Sequence, residues 1–132
     1  MKTGEEWREG ISRGTQERIR DRRRELGLTM DELSERTAKI GFEIPRSTLA
    51  NIEIQRKAHV ALHEVLVLAE ALESSPAAII AGDGDSEVEI LPGRTVASAE
   101  AQEWIAGASG IRKAQLAIRQ ARDALTSALR VM

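Results

Sequence analysis

The stretch IPRSTLANIE, from Ile44 to Glu53, holds side chains that can recognise the edges of bases. The guanidinium of Arg46 can donate two hydrogen bonds to a guanine, and the carboxamide of Asn51 can pair in the same bidentate way with an adenine. Each such contact is worth about 1–3 kcal/mol of discrimination between bases. On a helix, residues 46 and 51 would lie about one and a half turns apart. This chemistry requires a helix that presents both side chains to a partner.

The elements around this stretch are expected to be helical, because apolar residues recur three and four positions apart. A first helix is predicted from about Glu5 to Leu26, with Gly14 as a point where it could break. Thr29 and Glu32 have the spacing of a capping box, in which each side chain satisfies a free backbone N–H group at a helix start. A second helix of about eleven residues should follow and end at Gly41.

The third helix is the one that carries the opening stretch. Pro45 is expected at its first position, where the missing N–H group would have no partner in any case. Leu49 and Ile52 should face the core from this helix, as Leu33 and Ile40 should from the second.

Two more helices complete the predicted domain. The fourth is expected from Leu62 to about Glu73. A short fifth helix should be capped by Ser75, with Pro76 at its first position.

The segment after the fifth helix changes character. Residues 82–85 contain two glycines and two aspartates and indicate a linker, after which Val88 and Ile90 alternate as in a short strand. Pro92 and Gly93 should end the strand. One strand is not stable alone, so it either lies on the helical domain or pairs with the same strand of a second copy.

The C-terminal region is predicted to be helical from Ser98 to Met132, with a possible break between Gly107 and Gly110. Large apolar residues recur at intervals of seven, accompanied by a track of alanines, and a partner helix can approach such a stripe closely. The stripe either packs on a second copy or folds back on its own domain, and we favour the pair of helices. The residues expected to join two copies are Trp104, Ile111, Ala114, Ile118, Ala121 and Leu125.

Composition restricts the remaining chemistry. The chain has no cysteine, which excludes disulfides, a thiol nucleophile and cysteine metal sites. No apolar run suits a membrane helix or a secretory signal, so we expect a cytoplasmic protein. We expect neither a metal nor another cofactor, and no enzymatic activity.

Charge is distributed unevenly along the chain. The net charge is −2, yet residues 1–60 carry thirteen Lys/Arg against eleven Asp/Glu, and residues 61–132 carry six against ten. Five arginines lie between Arg18 and Arg24. They either reach phosphates or form a solvated face paired with neighbouring acids.

The sequence resembles a known family at several motifs. LGLTMDELSERT, RSTLANIE and VLVLAEAL together resemble the Cro/repressor-type (XRE-like) helix-turn-helix family, and VEILPGRTV with EWIAG is similar to the tail of its actinobacterial members. The match covers roughly residues 15–107. It implies a compact five-helix repressor-like helix-turn-helix domain, and it does not extend to residues 108–132. Together with the short β-strand and the C-terminal alanine-rich helix predicted above, the expected fold class is all-α. The corresponding regions are residues 1–81, 82–97 and 98–132.

The resemblance also implies roles for individual residues. The positions that face base edges are Arg46, Ser47, Ala50 and Asn51. Those expected at phosphates are Thr29, Thr48, Gln55, Arg56 and Lys57. Glu53 corresponds to a structural glutamate rather than a base reader.

Three departures from the family pattern stand out. Met30 replaces a glutamine that commonly helps to bind phosphate, and the connection from Lys39 to Glu43 is longer than the usual tight turn. Ile54 and Gln55 stand where a glycine is common, so the third helix could continue for a further turn.

The resulting expectation is a sequence-specific transcriptional regulator, in the first instance a repressor, that binds an inverted-repeat operator in double-stranded DNA as a homodimer. The alternative is an adaptor or antitoxin-like regulator that binds another protein through the C-terminal helix. No membrane partner is expected.

Overall fold

The computed structural model describes residues 3–55, 59–108 and 110–131, with residues 110–113 described by their backbone alone. Within these ranges the chain is mostly helical, with seven helices and a two-stranded sheet. The elements are α1 (Gly4–Glu25), α2 (Met30–Ile40), α3 (Arg46–Glu53), α4 (Leu62–Ala71), α5 (Pro76–Ala81), β1 (Glu87–Leu91), β2 (Arg94–Ala97), α6 (Ser98–Ile105) and α7 (Gly110–Val131). The chain divides into two compact units, Met1–Gln102 and Glu103–Met132.

The first helix, α1, is continuous. It begins where the hydroxyl of Thr3 accepts a hydrogen bond from the backbone N–H of Glu6 at 3.1 Å, and it runs through Gly14 without a break. The chain then turns at Gly27, whose φ of +68° suits a glycine.

The second helix follows the sequence prediction at both ends. The hydroxyl of Thr29 accepts from the N–H of Glu32, and the Glu32 carboxylate accepts from the N–H of Thr29, both at 3.1 Å. Gly41, with φ of +117°, ends the helix. The prediction that Ile40 faces the core is wrong: it is 43% exposed, because the core-facing side of the last turn is taken by Thr37.

The third helix differs from the prediction at both of its ends. Pro45 is the N-cap residue with extended backbone, so the first helical residue is Arg46. The further turn suggested by Ile54 and Gln55 does not form, because Gln55 has φ of +60° and leaves the helical conformation. Leu49 and Ile52 are buried as expected, and Glu53 is buried with them.

The later helices of the first unit agree with the sequence prediction in outline. The fourth helix is shorter than expected, since it ends at Ala71. The fifth begins as predicted, with the hydroxyl of Ser75 accepting from the N–H of Ala78 at 3.1 Å and Pro76 at the start.

A single apolar core joins α1 to α5. Its fully buried large side chains include Ile19, Leu33, Ile44, Leu49, Ile52, Leu68, Leu72 and Ile79. Burying a side chain of this size contributes about 1.5–3 kcal/mol. The core therefore fixes the positions of α2 and α3 in the first unit.

The predicted strand pairs within its own chain. β1 is antiparallel to β2, which the sequence did not predict, and Val88 and Ile90 pack in a second apolar cluster with Ala81 and Ala101. The indole N–H of Trp7 donates to the carbonyl of Glu89 at 3.0 Å. Residues 82–97, expected as a linker with a short strand, thus form part of a compact unit that extends beyond residue 81 to residue 102.

The C-terminal region has the break suggested by its glycines. α6 ends at Ile105, Gly107 has φ of +78°, and α7 starts at Gly110. From residue 114 to residue 131 the side chains of α7 are exposed. None of the helices in the described part of the chain is long and apolar enough to cross a membrane.

Candidate nucleic-acid interface

The residues predicted to contact bases lie on the accessible part of α3. Arg46, Ser47 and Asn51 are exposed, with the Arg46 side chain 67% accessible, and Ala50 is half-buried. Leu49 and Ile52, on the other side of the same helix, are fully buried. The helix therefore has one side in the core and displays a guanidinium and a carboxamide on the rest of its surface.

A buried ion pair holds the C-terminal end of α3. The guanidinium of Arg23 donates from Nε to Oε2 of Glu53 at 2.6 Å and from Nη2 to Oε1 at 2.8 Å, while Nη1 donates to the carbonyl of Leu28 at 2.6 Å. The Glu53 side chain is only 4% exposed. The hydrogen bonds between Arg23 and Glu53 raise the pKa of Arg23. They outweigh burial, which acts to lower that pKa. This bidentate pair ties α3 to the end of α1.

Two hydroxyl groups of α2 hold the entry to α3. The Ser34 hydroxyl donates to the carbonyl of Ile44 at 2.7 Å, and the Thr37 hydroxyl accepts from the N–H of Ile44 at 2.9 Å. Both polar groups of the Ile44 backbone are therefore satisfied inside the protein. The long connection after α2 is thus fixed immediately before the residues predicted to contact bases.

The charge around Arg46 is mixed. Its Nη1 lies 3.5 Å from Oδ2 of Asp31, at the start of α2, and both side chains are 67% exposed. An exposed pair of this kind contributes about 0–1 kcal/mol. Arg46 can therefore exchange Asp31 for a stronger bidentate partner at little cost.

The residues predicted to contact phosphates differ in how the structure places them. Thr29 is exposed at the N-cap of α2, and Thr48 is half-buried in the first turn of α3. The side-chain N–H of Gln55 donates to Glu17 at 3.3 Å, so this residue is engaged within the protein. Arg56 and Lys57 lie outside the described residues.

The arginine cluster of α1 is mainly structural, a role that differs from both alternatives suggested by the sequence. Arg18 donates to the carbonyls of Ile79 and Ile80, and Arg22 donates to those of Leu72 and Glu73. These carbonyls lie at the ends of α4 and α5, where a cation also interacts favourably with the helix dipole. Arg20 pairs with Asp21, and Arg23 binds Glu53 as described above.

Burial also affects the pKa of one of these arginines, Arg18. Desolvation lowers the pKa of Arg18, while the charges of Glu17 and Asp83 act in the opposite direction. The sequence held a signal for this structural role, since Arg18 and Arg22 are four residues apart and face one side of α1. The partners could not be predicted, because they are backbone carbonyls at least 50 residues away.

The residues predicted to join two copies lie on the second unit. Trp104, Ala114, Ile118, Ala121 and Leu125 are exposed, and Ile118 and Leu125 are among the most accessible large apolar residues described. The side chain of Ile111 lies outside the described residues. The described stripe is therefore available to a partner.

Comparison with known proteins assigns no relative to this chain: no protein-family model, curated protein or solved structure matches it.

Proposed function

We propose that the protein is a sequence-specific DNA-binding transcriptional regulator of the Cro/repressor-type helix-turn-helix class. In this proposal α2 and α3 form the helix-turn-helix, and α3 is the recognition helix. The observation that carries it is the exposure of Arg46 and Asn51 on a helix whose opposite side is fully buried. Such a helix can enter the major groove without disturbing the core.

The proposed reading mode uses the N-terminal part of α3. Arg46 would donate to O6 and N7 of a guanine, and Asn51 would pair with N6 and N7 of an adenine. Thr29, at the start of α2, would lie towards the phosphate backbone. The Arg23–Glu53 pair supports this mode because a helix fixed in advance loses less conformational entropy on binding.

The proposed regulator acts as a homodimer. The exposed apolar stripe of α7 would pair two copies, so that two recognition helices meet an inverted repeat. Half-sites in such operators are separated by about 34 Å, one turn of duplex. Repression is the simplest consequence, since a bound dimer excludes other proteins from its site.

The experiment begins with selection of a preferred duplex from random sequences by the full-length protein. Arg46→Ala should then weaken binding to the preferred duplex by about 1–3 kcal/mol, or roughly five- to 150-fold, and change little on a scrambled duplex. Arg24→Ala is the control, because it removes an equal charge from an exposed position on α1. Equal losses for Arg46→Ala on both duplexes would refute base reading.

A second candidate function is supported by exposed apolar side chains in the first unit. Phe42, Leu62 and Leu66 are all at least 48% exposed, and the Phe42 ring packs edge-on against His63 at 5.1 Å. Exposed apolar groups of this kind can mark a protein interface. These residues belong to a different unit from α7 and would add a second protein-binding surface to an adaptor or antitoxin-like role that acts through α7. That role would be favoured if no duplex were retained even at low salt.

A further inference from the structure

The positive charge of this chain is concentrated in its second unit. Residues 1–102 carry fourteen Lys/Arg against nineteen Asp/Glu, whereas residues 103–132 carry five against two. The unit that holds the proposed recognition helix is therefore net acidic. Because a duplex carries one negative charge per about 1.7 Å, most of its affinity for a protein comes from cations that displace counterions.

Many arginines of the first unit are engaged inside the protein. Arg18 and Arg22 hold the carbonyl ends of α5 and α4, and Arg23 is paired with Glu53. Arg36 donates to the carbonyl of Ala71 at 3.0 Å and also contacts Glu73. These four cations serve the fold and contribute little to a phosphate interface.

The arginines of α7 are placed differently. Arg119 and Arg130 are exposed and eleven residues apart, a spacing that puts them on the same side of the helix, about 16 Å apart along its axis. Helix geometry places Ile118 and Leu125 on a different side. Arg122 is also exposed, but it lies only about 40° around the helix from Ile118, at the edge of the apolar stripe. It is 4.0 Å from Asp123, with both side chains more than two-thirds accessible.

We propose that the basic face of α7, defined by Arg119 and Arg130, binds the phosphate backbone of duplex DNA and supplies affinity that does not depend on sequence. The proposal rests on the proposed function. It assigns a separate role to each side of α7: the apolar stripe binds a second copy and the basic face binds phosphates. Arginine suits this role because its planar fork matches phosphate oxygens.

An anionic membrane surface is the other polyanion that an amphipathic basic helix could bind. In that case the apolar stripe would enter the bilayer and could no longer join two copies. Arg119 and Arg130 lie roughly opposite the alanine track of the stripe, a position that suits either polyanion. DNA is favoured because the unit that holds the proposed recognition helix is net acidic, so that a duplex needs cations from elsewhere in the chain.

The test compares the full-length protein with the variant Arg119→Gln/Arg130→Gln. The matched control is Gln120→Ala/Ser127→Ala, which changes two exposed neutral residues of the same helix. Fluorescence anisotropy measures the affinity for the selected and scrambled duplexes over a range of salt concentrations. Circular dichroism and sedimentation confirm that helix content and oligomeric state are the same in all three proteins.

The expected result is a decrease in the slope of log affinity against log salt of about 1.8 per bound protomer, or about 3.6 for a bound dimer, since each phosphate contact contributes about 0.9. The decrease should be equal on both duplexes, and the control should keep the slope of the unchanged protein. An unchanged slope in the arginine variant would overturn the proposal. A different result would overturn the proposal in favour of a membrane: the unchanged protein binds phosphatidylserine vesicles, the arginine variant does not, and both bind the duplexes equally well.

The same data separate this proposal from base reading. Suppose that the unchanged protein binds both duplexes equally and that the arginine variant has a smaller salt slope. Base reading by α3 would then fail and the role of α7 would stand. If Arg46→Ala abolished sequence preference while the arginine variant kept its slope, the opposite conclusion would follow.

Discussion

The Glu53 carboxylate accepts hydrogen bonds from two nitrogens of one guanidinium, and the third guanidinium nitrogen binds the carbonyl of Leu28. Neither charge can regain water easily if the other is removed, since the two side chains are only 14% and 4% exposed. Breaking such a pair usually costs more than the pair contributes, because one buried charge remains without a partner. The position of α3 should therefore depend on both residues.

At this scale we predict that Arg23→Gln lowers the free energy of unfolding by about 3–5 kcal/mol. Urea denaturation followed by circular dichroism measures the change. Arg24→Gln is the control. Arg24 is the next residue along α1 but its side chain is exposed, so this substitution should change stability by at most about 0.5 kcal/mol. Similar losses in the two variants would show that the pair is not specifically important.

Individual residues differ in how far the sequence reveals their roles. The structural role implied for Glu53 is confirmed by its burial against Arg23. The exposed positions of Arg46 and Asn51 follow from helical spacing, because the apolar Leu49 and Ile52 determine which side enters the core. The roles of Arg18 and Arg22 depend on distant carbonyls, which local spacing does not specify.

At the scale of elements, the N-terminus of α2 is stabilised by a reciprocal cap. The hydrogen bonds from the backbone and side chain of Thr29 lower the pKa of Glu32, and the nearby Arg36 acts in the same direction. A carboxyl group whose pKa is lower in the folded state stabilises the fold when it is ionised in both states. Its contribution is thus present above the ordinary glutamate pKa and is lost as pH falls through the lowered value.

We predict that Glu32→Gln unfolds more easily than the unchanged protein at neutral pH, and that the difference disappears in acid. Urea midpoints measured across a pH series provide the test. Glu35→Gln is the control, since Glu35 is an exposed acidic residue of the same helix without a place in the cap. A difference between Glu32→Gln and the unchanged protein that persisted at low pH would contradict this account.

The elements that the sequence predicted are those with local signals. The capping box of α2, the Ser75 cap of α5 and the glycines before α7 each mark a boundary within a few residues. β2 was missed because it is four residues long and mostly exposed, and therefore has little apolar alternation. Gly93, interpreted as the end of a strand, has φ of +76° and lies in the turn between β1 and β2.

At the scale of the whole molecule, self-association through α7 is the proposal with the simplest test. Leu125 lies on the apolar stripe, and Leu116, nine residues earlier, lies on the opposite side of the same helix. Both side chains are more than half exposed. The two leucines therefore form a matched pair of positions.

We predict that Leu125→Glu shifts the protein from dimer to monomer in sedimentation equilibrium, because it places a charge in the apolar contact. Leu116→Glu should leave the dimer intact. Binding to an inverted repeat should weaken in the first variant alone, since only that variant loses simultaneous contact with both half-sites. A monomeric unchanged protein, or equal effects of the two substitutions, would refute pairing through this stripe.

The hydrogen bond from Trp7 to Glu89 joins residues 82 positions apart, and this separation has a consequence for synthesis on the ribosome. While β1 is still unmade or inside the exit tunnel, the apolar cluster that includes Ile11 and Ala81 lacks Val88 and Ile90. A nascent chain that has already produced α1 to α5 must therefore wait for its hairpin before Trp7 and Ile11, which are half-buried in the completed fold, are covered. Until the hairpin forms, these two apolar side chains remain in contact with water.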